Sequence, residues 1–422
     1  MTSGRMWSVA LSMLLSASPA FELSTLEKGE ALPALLWERS PELQQARANV
    51  AAAEADFRKT TRLPNPDLDV GVNTLPVGPL NPPGLKEPLL NVPNVAMSLS
   101  VLLEVGKREP RQNAAAERAK QAALEAREAL RQRLFDAYAV LADVAAAQVR
   151  VSILEGLAND AHRLTELQNA RAKTGDTAEL DVDRAQLEEE NVGASLGDAR
   201  EQLQQELRAC AVLLAMPCTP FRDAAQANVW LDRRFESTER PVEERPDLEA
   251  LESRARAARA DELLAKNQWI PDFTVRAGYV HDRFIESGNQ MNSVFVGFSV
   301  PLRIFDHGQD DAQAAAVAAK TADDVRARLL EVAANQRVRL TTEVDAVEAR
   351  QTRLREKSVP LAQQVVDRLT AAVTRGSSSL QELLLSRRTL SELLLTAAEM
   401  DRRVFQLHLE RARLSGVNVH VE

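Results

Sequence analysis

The chain has 422 residues, with 16 glycines and an aromatic content of 4%, and this length can build a sizeable hydrophobic core. Because glycine and aromatic residues are scarce while alanine, leucine, glutamate, arginine and glutamine are abundant, the composition predicts long helices. The formal net charge of -9 argues against nucleic-acid binding, because neutralising phosphates needs a surplus of lysine and arginine.

Residues 1–20 have the features of a secretory signal peptide. Arg5 precedes an apolar run over residues 7–15, and a group of small residues ends at Ala20, where we expect cleavage. A membrane anchor is the alternative, but the run is too short to span a bilayer as a helix. No later segment approaches about 18 consecutive apolar residues. The sequence therefore predicts that any membrane insertion uses strands.

Residues 21–37 have no clear pattern, and an internal duplication follows them. Residues 40–68 recur 205 positions later as residues 245–273, without a gap. The identical positions include Pro41 and Pro246, Leu43 and Leu248, Pro66 and Pro271, and Asp67 and Asp272. Because the period is about half the chain, the pattern indicates two repeats, residues 38–216 and 245–415, rather than a solenoid.

Each repeat begins with a helix and continues with a strand pair. Apolar residues at intervals of three and four predict an amphipathic helix over residues 38–62, which Pro64 and Pro66 terminate. The spacing then changes to two, which predicts a β-hairpin over residues 67–102. The second repeat shows the same change and predicts a hairpin over residues 272–302. Each hairpin has one apolar face and one small or polar face.

The predicted strands are about ten residues long, which is the length that a tilted strand needs to cross a bilayer. A lone hairpin of this kind is more typical of a soluble sheet, but two hairpins at matched places in a secreted, helix-rich chain favour membrane strands. Four strands cannot close a barrel, because the smallest closed forms have about eight, and open edges in hydrocarbon leave backbone groups unpaired. We therefore expect two or more copies to share one barrel.

Two very long helices are predicted after the hairpins, at residues 107–173 and 309–375. Each run has about 67 residues, so at about 1.5 Å per residue it is about 100 Å long, far longer than a usual globular helix. Gly175 and Gly376 interrupt the runs. Return helices are predicted over residues 177–216 and 377–415. The first helix and the return helix of a repeat together match the long helix in length, which predicts a tall antiparallel helical hairpin.

The repeats are separated by residues 217–244, a polar connector with three prolines, and residues 416–422 form a short C-terminal tail. On one continuous helix, Cys210 and Cys218 would be about 12 Å apart, too far for a disulfide. Pro217 can end that helix and allow Cys218 to fold back. A disulfide and two buried thiols stay open as alternatives, and neither the spacing nor the neighbours indicate a metal site.

Three segments, LPNPDLDVGVN, LLEVGKREPRQNAAAERA and VPLRIFDHGQDDAQAA, together with the duplicated element order, resemble the TolC family of outer-membrane efflux proteins. The resemblance covers residues 38–415. It implies a mainly α fold with membrane β, in which three copies build an α-helical tunnel and share a twelve-stranded β-barrel. It also implies location in the outer membrane of a Gram-negative bacterium, contact with its lipid, and docking with a periplasmic adaptor and an inner-membrane pump. The segments NPDL and GKREPR are similar to the heavy-metal efflux branch.

In this family, the turns between the long helices and the return helices lie at the periplasmic end, where the tunnel narrows. The resemblance implies constriction carboxylates six residues after each turn glycine, at Asp181 and Glu382, while Leu385 replaces a third family acid. In a trimer these acids would form a ring that prefers cations, and Arg184 and Arg375 are candidates for latching ion pairs. The alternative is that both acids are solvated charges near a helix start, where acids are favoured.

The resemblance also implies that the adaptor docks at the turns themselves. The residues concerned are Gly175, Asp176, Gly376 and Ser377. A tight glycine turn exposes its backbone, which lets an adaptor helical hairpin mesh between neighbouring copies. The alternative, a plain helix stop, is compatible with the same residues.

Two other classes of protein compete with a channel. An enzyme is disfavoured, because the five histidines are scattered and the sequence has no HExxH, nucleophile motif or phosphate-binding glycine loop. We expect no catalytic residue, cofactor or metal site, and we expect His281, beside Asp282, to be solvated. A secreted coiled-coil interaction protein without a pore would explain the helices but not the hairpins. The cargo, metal ion or other small molecule, stays open, because a passive tunnel need not recognise it.

Overall fold

The computed structural model describes residues 21–22, 31–77, 86–233, 241–283 and 290–416. The expected signal peptide, residues 417–422 and parts of the hairpin loops and the connector lie outside the described residues. The chain divides into two compact units. The tip unit comprises Met1–Gln44, Ala129–Val242 and Val332–Glu422, and the strand unit comprises Gln45–Glu128 and Glu243–Glu331. Each unit therefore contains parts of both predicted repeats.

The described elements follow one another in the order that the sequence predicts, with a few short additions. In chain order they are β1 (Phe21–Glu22), α1 (Ala31–Arg39), α2 (Pro41–Thr61), β2 (Asp67–Asn73), α3 (Pro88–Asn91), β3 (Asn94–Leu103), α4 (Arg108–Lys173), α5 (Glu179–Leu214), β4 (Cys218–Thr219), α6 (Ala224–Leu231), α7 (Pro246–Lys266), β5 (Phe273–His281), β6 (Asn292–Ser299), α8 (Gln309–Arg353), α9 (Val359–Thr374) and α10 (Leu380–Arg413). The mainly helical fold with four longer strands confirms the predicted fold of the single chain, mainly α with two strand pairs.

The strand unit contains a four-stranded antiparallel sheet with the order β2-β3-β5-β6. The two hairpins form as the alternation predicts, with Val70 opposite Met97 and Val275 opposite Phe298. In addition, β3 of the first hairpin pairs with β5 of the second, with Leu103 opposite Phe273. This pairing joins the two repeats, and the sequence alone did not indicate it.

One face of the sheet consists of apolar side chains that alternate with the small or polar residues of the other face. The exposed members of this face include Leu68, Val70, Val72, Met97, Leu99, Val275, Val294, Val296 and Phe298, which are between 40% and 83% exposed. Apolar side chains so exposed on every strand require an apolar environment, because water disfavours a contiguous patch of this kind.

A buried ion pair holds the turn between β3 and α4. Lys107 Nζ lies 2.8 Å from Asp272 Oδ2, and the backbone N–H of Val105 donates to Asp272 Oδ1 at 3.2 Å. Between them, Gly106 has a φ of 69°, and its carbonyl accepts from the side chain of Asn267 at 2.6 Å. Asp272, in the Pro-Asp pair of the second repeat, therefore contacts Lys107, in the Gly-Lys pair of the first repeat.

The main core of the tip unit is built around the middle of α4. Leu141 and Val144 of α4 are at most 1% exposed and pack in one cluster with Leu36 of α1, Trp230 of α6 and Phe405 of α10. Most of α1 lies in residues 21–37, for which the sequence showed no pattern, and this helix thus belongs to the core, as does α6 of the connector. Among the described helices, only α4 contains a window long and apolar enough to cross a membrane, and 50% of that window is buried. A single helix of this kind is weak evidence for a membrane span.

The structure decides the state of the cysteines. Helix α5 ends at Leu214, and Ala215 adopts a left-handed conformation with a φ of 53°. The chain then folds back, so that Cys210 and Cys218 form a disulfide with their Cα atoms 6.1 Å apart. Cys218 belongs to β4, which pairs with β1 in parallel. The disulfide therefore fixes the end of α5 to this small sheet.

The second long helix is not uniform, unlike α4. Helix α8 passes into a π-helical turn, Leu354–Ser358, and α9 continues directly from it. Within the turn, the N–H of Val359 donates to the carbonyl of Leu354, five residues back. Pro360 follows at once, and because proline lacks an N–H and crowds the preceding turn, a local widening of the helix accommodates it.

Candidate functional site

The first turn of the tip unit lies between α4 and α5. Gly175 has a φ of 76°, and its N–H donates to the carbonyl of Ala172 at 3.0 Å. The N–H of Asp176 donates to the carbonyl of Arg171 at 2.9 Å. These two hydrogen bonds form a Schellman motif, which requires a left-handed residue and explains the glycine.

The second turn, between α9 and α10, has the same construction. Gly376 has a φ of 74°, and its N–H donates to the carbonyl of Val373 at 3.0 Å, while Ser377 donates to Ala372 at 2.9 Å. A Cβ on Gly175 would meet nothing within 4 Å, and one on Gly376 would meet only the end of the Arg171 side chain. Both glycines are therefore needed for their backbone conformation rather than for space.

Asp181 and Glu382 lie in the first turns of the two return helices. The hydroxyl of Thr177 donates to Asp181 Oδ2 at 3.3 Å, and the hydroxyl of Ser378 donates to Glu382 Oε2 at 2.7 Å. Ser379 caps α10, because its Oγ accepts from the N–H of Glu382 at 3.3 Å. The two acids thus occupy matched places, where a helix N-terminus favours negative charge.

Of the two predicted latch arginines, the structure pairs one with an acid. Arg184 Nη1 lies 3.3 Å from Asp181 Oδ1, and the Asp181 side chain is 29% exposed. Arg375 is the C-terminal cap residue of α9 and is exposed, and it forms no ion pair with any residue that the structure describes. A surface pair such as Arg184–Asp181 contributes little to stability, about 0–1 kcal/mol, so either partner can be exchanged for another.

Arg171 is a tip residue that the sequence reasoning missed. It lies in the last turn of α4, and its Nη1 donates to the carbonyl of Val373, near the end of α9, at 2.8 Å. It therefore links the two turns of one chain. A basic residue in the last turn of a helix is a known signal for binding C-terminal carbonyls, but the sequence does not say that the carbonyl belongs to the other repeat.

Beneath the turns, an apolar cluster packs the return helix of the second repeat against the long helices. Leu383 is fully buried and packs with Leu164 of α4 and Val366 of α9. Glu382 and Leu385, on the other side of α10, are exposed, and Leu385 is 63% exposed. The position where the family has a third acid therefore presents an apolar side chain to its surroundings.

A charged cluster inside the tip unit lies apart from the turns, in a cavity of about 210 Å³ between α4, α5 and α10. Arg402 Nη1 lies 3.0 Å from Asp143 Oδ1, and its Nη2 lies 2.5 Å from Glu399. Burial raises the pKa of Asp143 although Arg402 opposes the shift. The pKa of Glu206 is raised as well, by burial and by the charge of Asp143. Within the described residues, no group of histidine, cysteine and acidic side chains is arranged to hold a metal ion.

A histidine bridges the two helices of the first repeat. His162 Nδ1 lies 2.8 Å from Glu189 of α5, and its Nε2 lies 3.4 Å from Glu166 of α4. The hydrogen bond to Glu189, followed by the charge of Glu166, raises the pKa of His162, and the same hydrogen bond lowers the pKa of Glu189. The charged imidazolium is the form that holds both carboxylates.

We expect this bridge to be present at low pH and to be lost as the pH rises through the raised pKa of His162, because the folded state favours the charged form. In histidine-labelled protein, the NMR titration of His162 should have a midpoint above its ordinary value of about 6.5. Glu189→Gln should move the midpoint down, and His162→Gln identifies the signal. A midpoint at or below the ordinary value would exclude the ion pairs of His162 with the two glutamates.

The comparisons with known proteins agree with this architecture. Residues 32–215 match the model of the outer membrane efflux protein family. The cobalt-zinc-cadmium resistance protein CzcC of Cupriavidus metallidurans is 26% identical over 249 residues, an alignment that spans 58% of this chain and 58% of that relative.

Two solved outer-membrane proteins have the same fold over nearly the whole chain. The CmeC outer membrane channel of Campylobacter jejuni has a TM-score of 0.73 at 14% identity, covering 99% of this chain and 94% of its own. The outer membrane protein VceC of Vibrio cholerae has a TM-score of 0.70 at 20% identity, covering 91% and 95%. The family match covers residues 32–215, in the first repeat, and these two structures extend the likeness in fold to nearly the whole chain.

Proposed function

We propose that the protein is the outer-membrane channel of a tripartite efflux system, a passive exit duct that works as a homotrimer. In this proposal its turns dock with a periplasmic adaptor, which connects it to an inner-membrane pump. The observation that carries the proposal is the four-stranded sheet, because its apolar face is exposed on every strand and its two central strands, β3 with 10 residues and β5 with 9, reach the length of about 9–11 residues that spans a bilayer. The alternative, a secreted coiled-coil protein, does not explain such a sheet.

The membrane association is tested by fractionation of cells that express the full chain. We expect the protein to stay in the outer membrane through high-salt and carbonate washes and to need detergent for release. After purification it should form pores of uniform conductance in a planar lipid bilayer. Release by carbonate alone, together with the absence of conductance, would favour the coiled-coil alternative.

We propose further that Asp181 and Glu382 form the tunnel constriction, with six carboxylates in the trimer. Their matched places at the starts of the return helices, beside the turns, support this role. Arg184, which already contacts Asp181, and Arg375, which is exposed beside Gly376, are proposed as latches that offset the repulsion between these acids. A ring of carboxylates in a narrow tunnel selects for cations.

Removal of both acids should therefore lower the cation selectivity of the channel. For Asp181→Ala combined with Glu382→Ala, we expect the reversal potential in a KCl gradient to move towards zero. The matched control is Glu179→Ala combined with Asp183→Ala, which removes the same charge from the flanking positions of α5. An unchanged reversal potential in the first variant, or an equal change in the control, would exclude the constriction.

We also propose that the turn residues Gly175, Asp176, Gly376 and Ser377 form the adaptor-docking surface. Both turns expose their backbone in the same Schellman geometry, and Arg171 holds them together. A photo-crosslinker placed at Thr174 or Ser378 should capture the adaptor in intact cells, whereas one placed at the exposed Val212, at the far end of α5, should not. Capture of the adaptor from Val212 alone would place the docking surface elsewhere.

The proposed cargo is a divalent transition-metal ion. This proposal comes from the relative that is named as a cobalt-zinc-cadmium resistance protein, and a cation-selective constriction is compatible with it. Deletion of the protein should raise sensitivity to such metals while leaving sensitivity to uncharged drugs unchanged. The opposite pattern of sensitivities would assign the channel to drug efflux.

A further inference from the structure

The face of the sheet opposite to the apolar one carries the aspartates and the arginine of the strands β2, β3, β5 and β6. These are Asp67 and Asp69 of β2 and Arg276 of β5. They alternate with apolar residues of the other face, such as Val70 and Val275, which are exposed. A charge on the lipid side of a membrane strand is strongly disfavoured. In the proposed barrel the apolar face therefore contacts lipid, and the charged face lines the lumen.

The register of the sheet brings the three charged residues close together on this face. Asp67 lies opposite Ser100 of β3, and Ser100 lies opposite Arg276 on its other side. Arg276 Nη2 lies 3.8 Å from Asp69 Oδ2, so the arginine side chain reaches across β3. This reach is possible because β3 has only the small Ser98 and Ser100 between the two charges.

The neighbouring residues of the face leave open space beside these charges. Gly297 of β6 lies opposite Arg276, and a Cβ built on this glycine would meet nothing within 4 Å. The ring of Phe295 lies over Gly278, because a Cβ built there would be 2.6 Å from two ring carbons. A solute that passes through the lumen at this level can therefore approach the charged groups directly.

The charges of this cluster do not balance. The Arg276–Asp69 pair is loose, with side chains that are 51% and 58% exposed, and such a pair is weak. Asp67 is exposed and forms no ion pair with any residue that the structure describes. Each copy therefore contributes two carboxylates and one guanidinium to the lumen. A lumen wall with an excess of negative charge attracts cations.

We propose that Asp67, Asp69 and Arg276 of the assembled copies form a charged ring in the lumen of the barrel, which draws small hydrated cations into the exit and disfavours anions. The inference rests on the proposed function, which requires a shared barrel, and it concerns a different part of the duct from Asp181 and Glu382. The arginine limits the strength of the ring. A cation that passes can replace it beside Asp69 without being held, and conduction requires binding of this weak kind.

A cysteine introduced at Gly297 measures the electrostatic potential at the ring. The two native cysteines form a disulfide, so Gly297→Cys supplies the one free thiol of the full chain. Isolated outer membranes with this reporter are treated with two membrane-impermeant thiol reagents, a cationic trimethylammonium methanethiosulfonate and an anionic sulfonate methanethiosulfonate. Each rate is divided by the rate of the same reagent with a small free thiol. We expect the cationic reagent to react about fivefold faster, and this ratio should approach one in about 1 M salt.

Charge variants of the reporter test the assignment of the ring. Asp67→Asn combined with Asp69→Asn leaves only the guanidinium, so the ratio of the two rates should fall below one. Arg276→Gln removes the positive charge and should raise the ratio above that of the reporter alone. The matched control is Glu54→Gln combined with Asp56→Asn, which removes two acids from α2 and should leave the ratio unchanged. Equal rates for the two reagents, or equal effects of the two acid pairs, would exclude the ring.

Two further cysteine variants show which face of the sheet lines the lumen. Val296→Cys, on the apolar face, should react with neither reagent, because lipid covers it. Ser299→Cys, on the charged face and close to the native size, replaces the reporter if Gly297→Cys does not assemble. If the protein forms pores but only Val296→Cys reacts, the assignment of the faces is wrong while the proposed function stands. If the protein is released by carbonate and forms no pores, the inference and the proposed function both fail.

Discussion

Asp272→Ala is expected to destabilise the strand unit by about 3 kcal/mol, because it leaves the ammonium of Lys107 buried without its partner. The Lys107 side chain is only 8% exposed, whereas Asp272 keeps 17% exposure, so the effect should lie near the lower end of the range for breaking a buried pair. The substitution also removes the acceptor of the Val105 N–H. Hydrogen exchange of the amides in the turn between β3 and α4 should become faster by about two orders of magnitude.

The chain contains its own control for this experiment. Asp67 occupies the same place in the first repeat, but its side chain is exposed, so Asp67→Ala should leave the exchange of the turn amides unchanged. Lys107→Met, which replaces the ammonium by an apolar group of similar length, should partly restore protection in the Asp272→Ala background. Equal effects of the two alanine variants would show that the buried pair does not hold the turn.

Gly308→Ala is the second change with a large expected effect. Gly308 has a φ of 87°, and a Cβ built there would lie 2.5 Å from the backbone oxygen of Ala265 and 3.1 Å from Cβ of Gln268. A left-handed alanine alone costs about 1–2 kcal/mol, and a clash with backbone cannot be relieved by a side-chain rotation. We therefore expect a loss of about 3 kcal/mol or more, seen as a lower midpoint of thermal unfolding or as loss of folded protein from the membrane.

Two other glycines separate the contributions to this loss. Gly175 has a positive φ but open space around its Cβ position, and Gly156, inside α4, has open space and a helical conformation. Gly175→Ala should therefore show the conformational cost alone. Gly156→Ala should be neutral or stabilising, because alanine favours helix by about 1 kcal/mol. If Gly308→Ala and Gly175→Ala lower the stability equally, the close approach of residue 308 to Ala265 contributes nothing to the loss.

The helices and turns illustrate what local sequence can predict. The long helix predicted at residues 107–173 is observed at Arg108–Lys173, because its one proline, Pro110, lies in the first turn, where proline is tolerated, and the single glycine inside it, Gly156, costs only about 1 kcal/mol. The ends of the long helices were predicted from Gly175 and Gly376, because glycine is the residue type that adopts a left-handed conformation freely. Pro360 is likewise a residue that disturbs a helix. The π-helical turn that precedes it depends on hydrogen bonds, and a pattern of residue types does not specify these.

The candidate tip site was likewise predicted only in part from the sequence. Its turn glycines follow from the local sequence, and its first-turn acids were named from the family resemblance, at a fixed distance from each glycine. Arg171 does not, because its acceptor, the carbonyl of Val373, is 202 positions away in the chain. A distant partner leaves no trace in the local periodicity of either segment.

By itself, the sequence determined the order of helices and strands, the alternation that makes one sheet face apolar, and the glycine turns, since each depends on residues within a few positions of one another. Only the tertiary structure decided the disulfide, the core position of α1, the pairing of the two hairpins through β3 and β5, and the contact between Asp272 and Lys107. These features join segments that are far apart in the chain or were left open by local signals. They form only when distant surfaces pack against each other and exclude water, and this packing is a property of the folded chain.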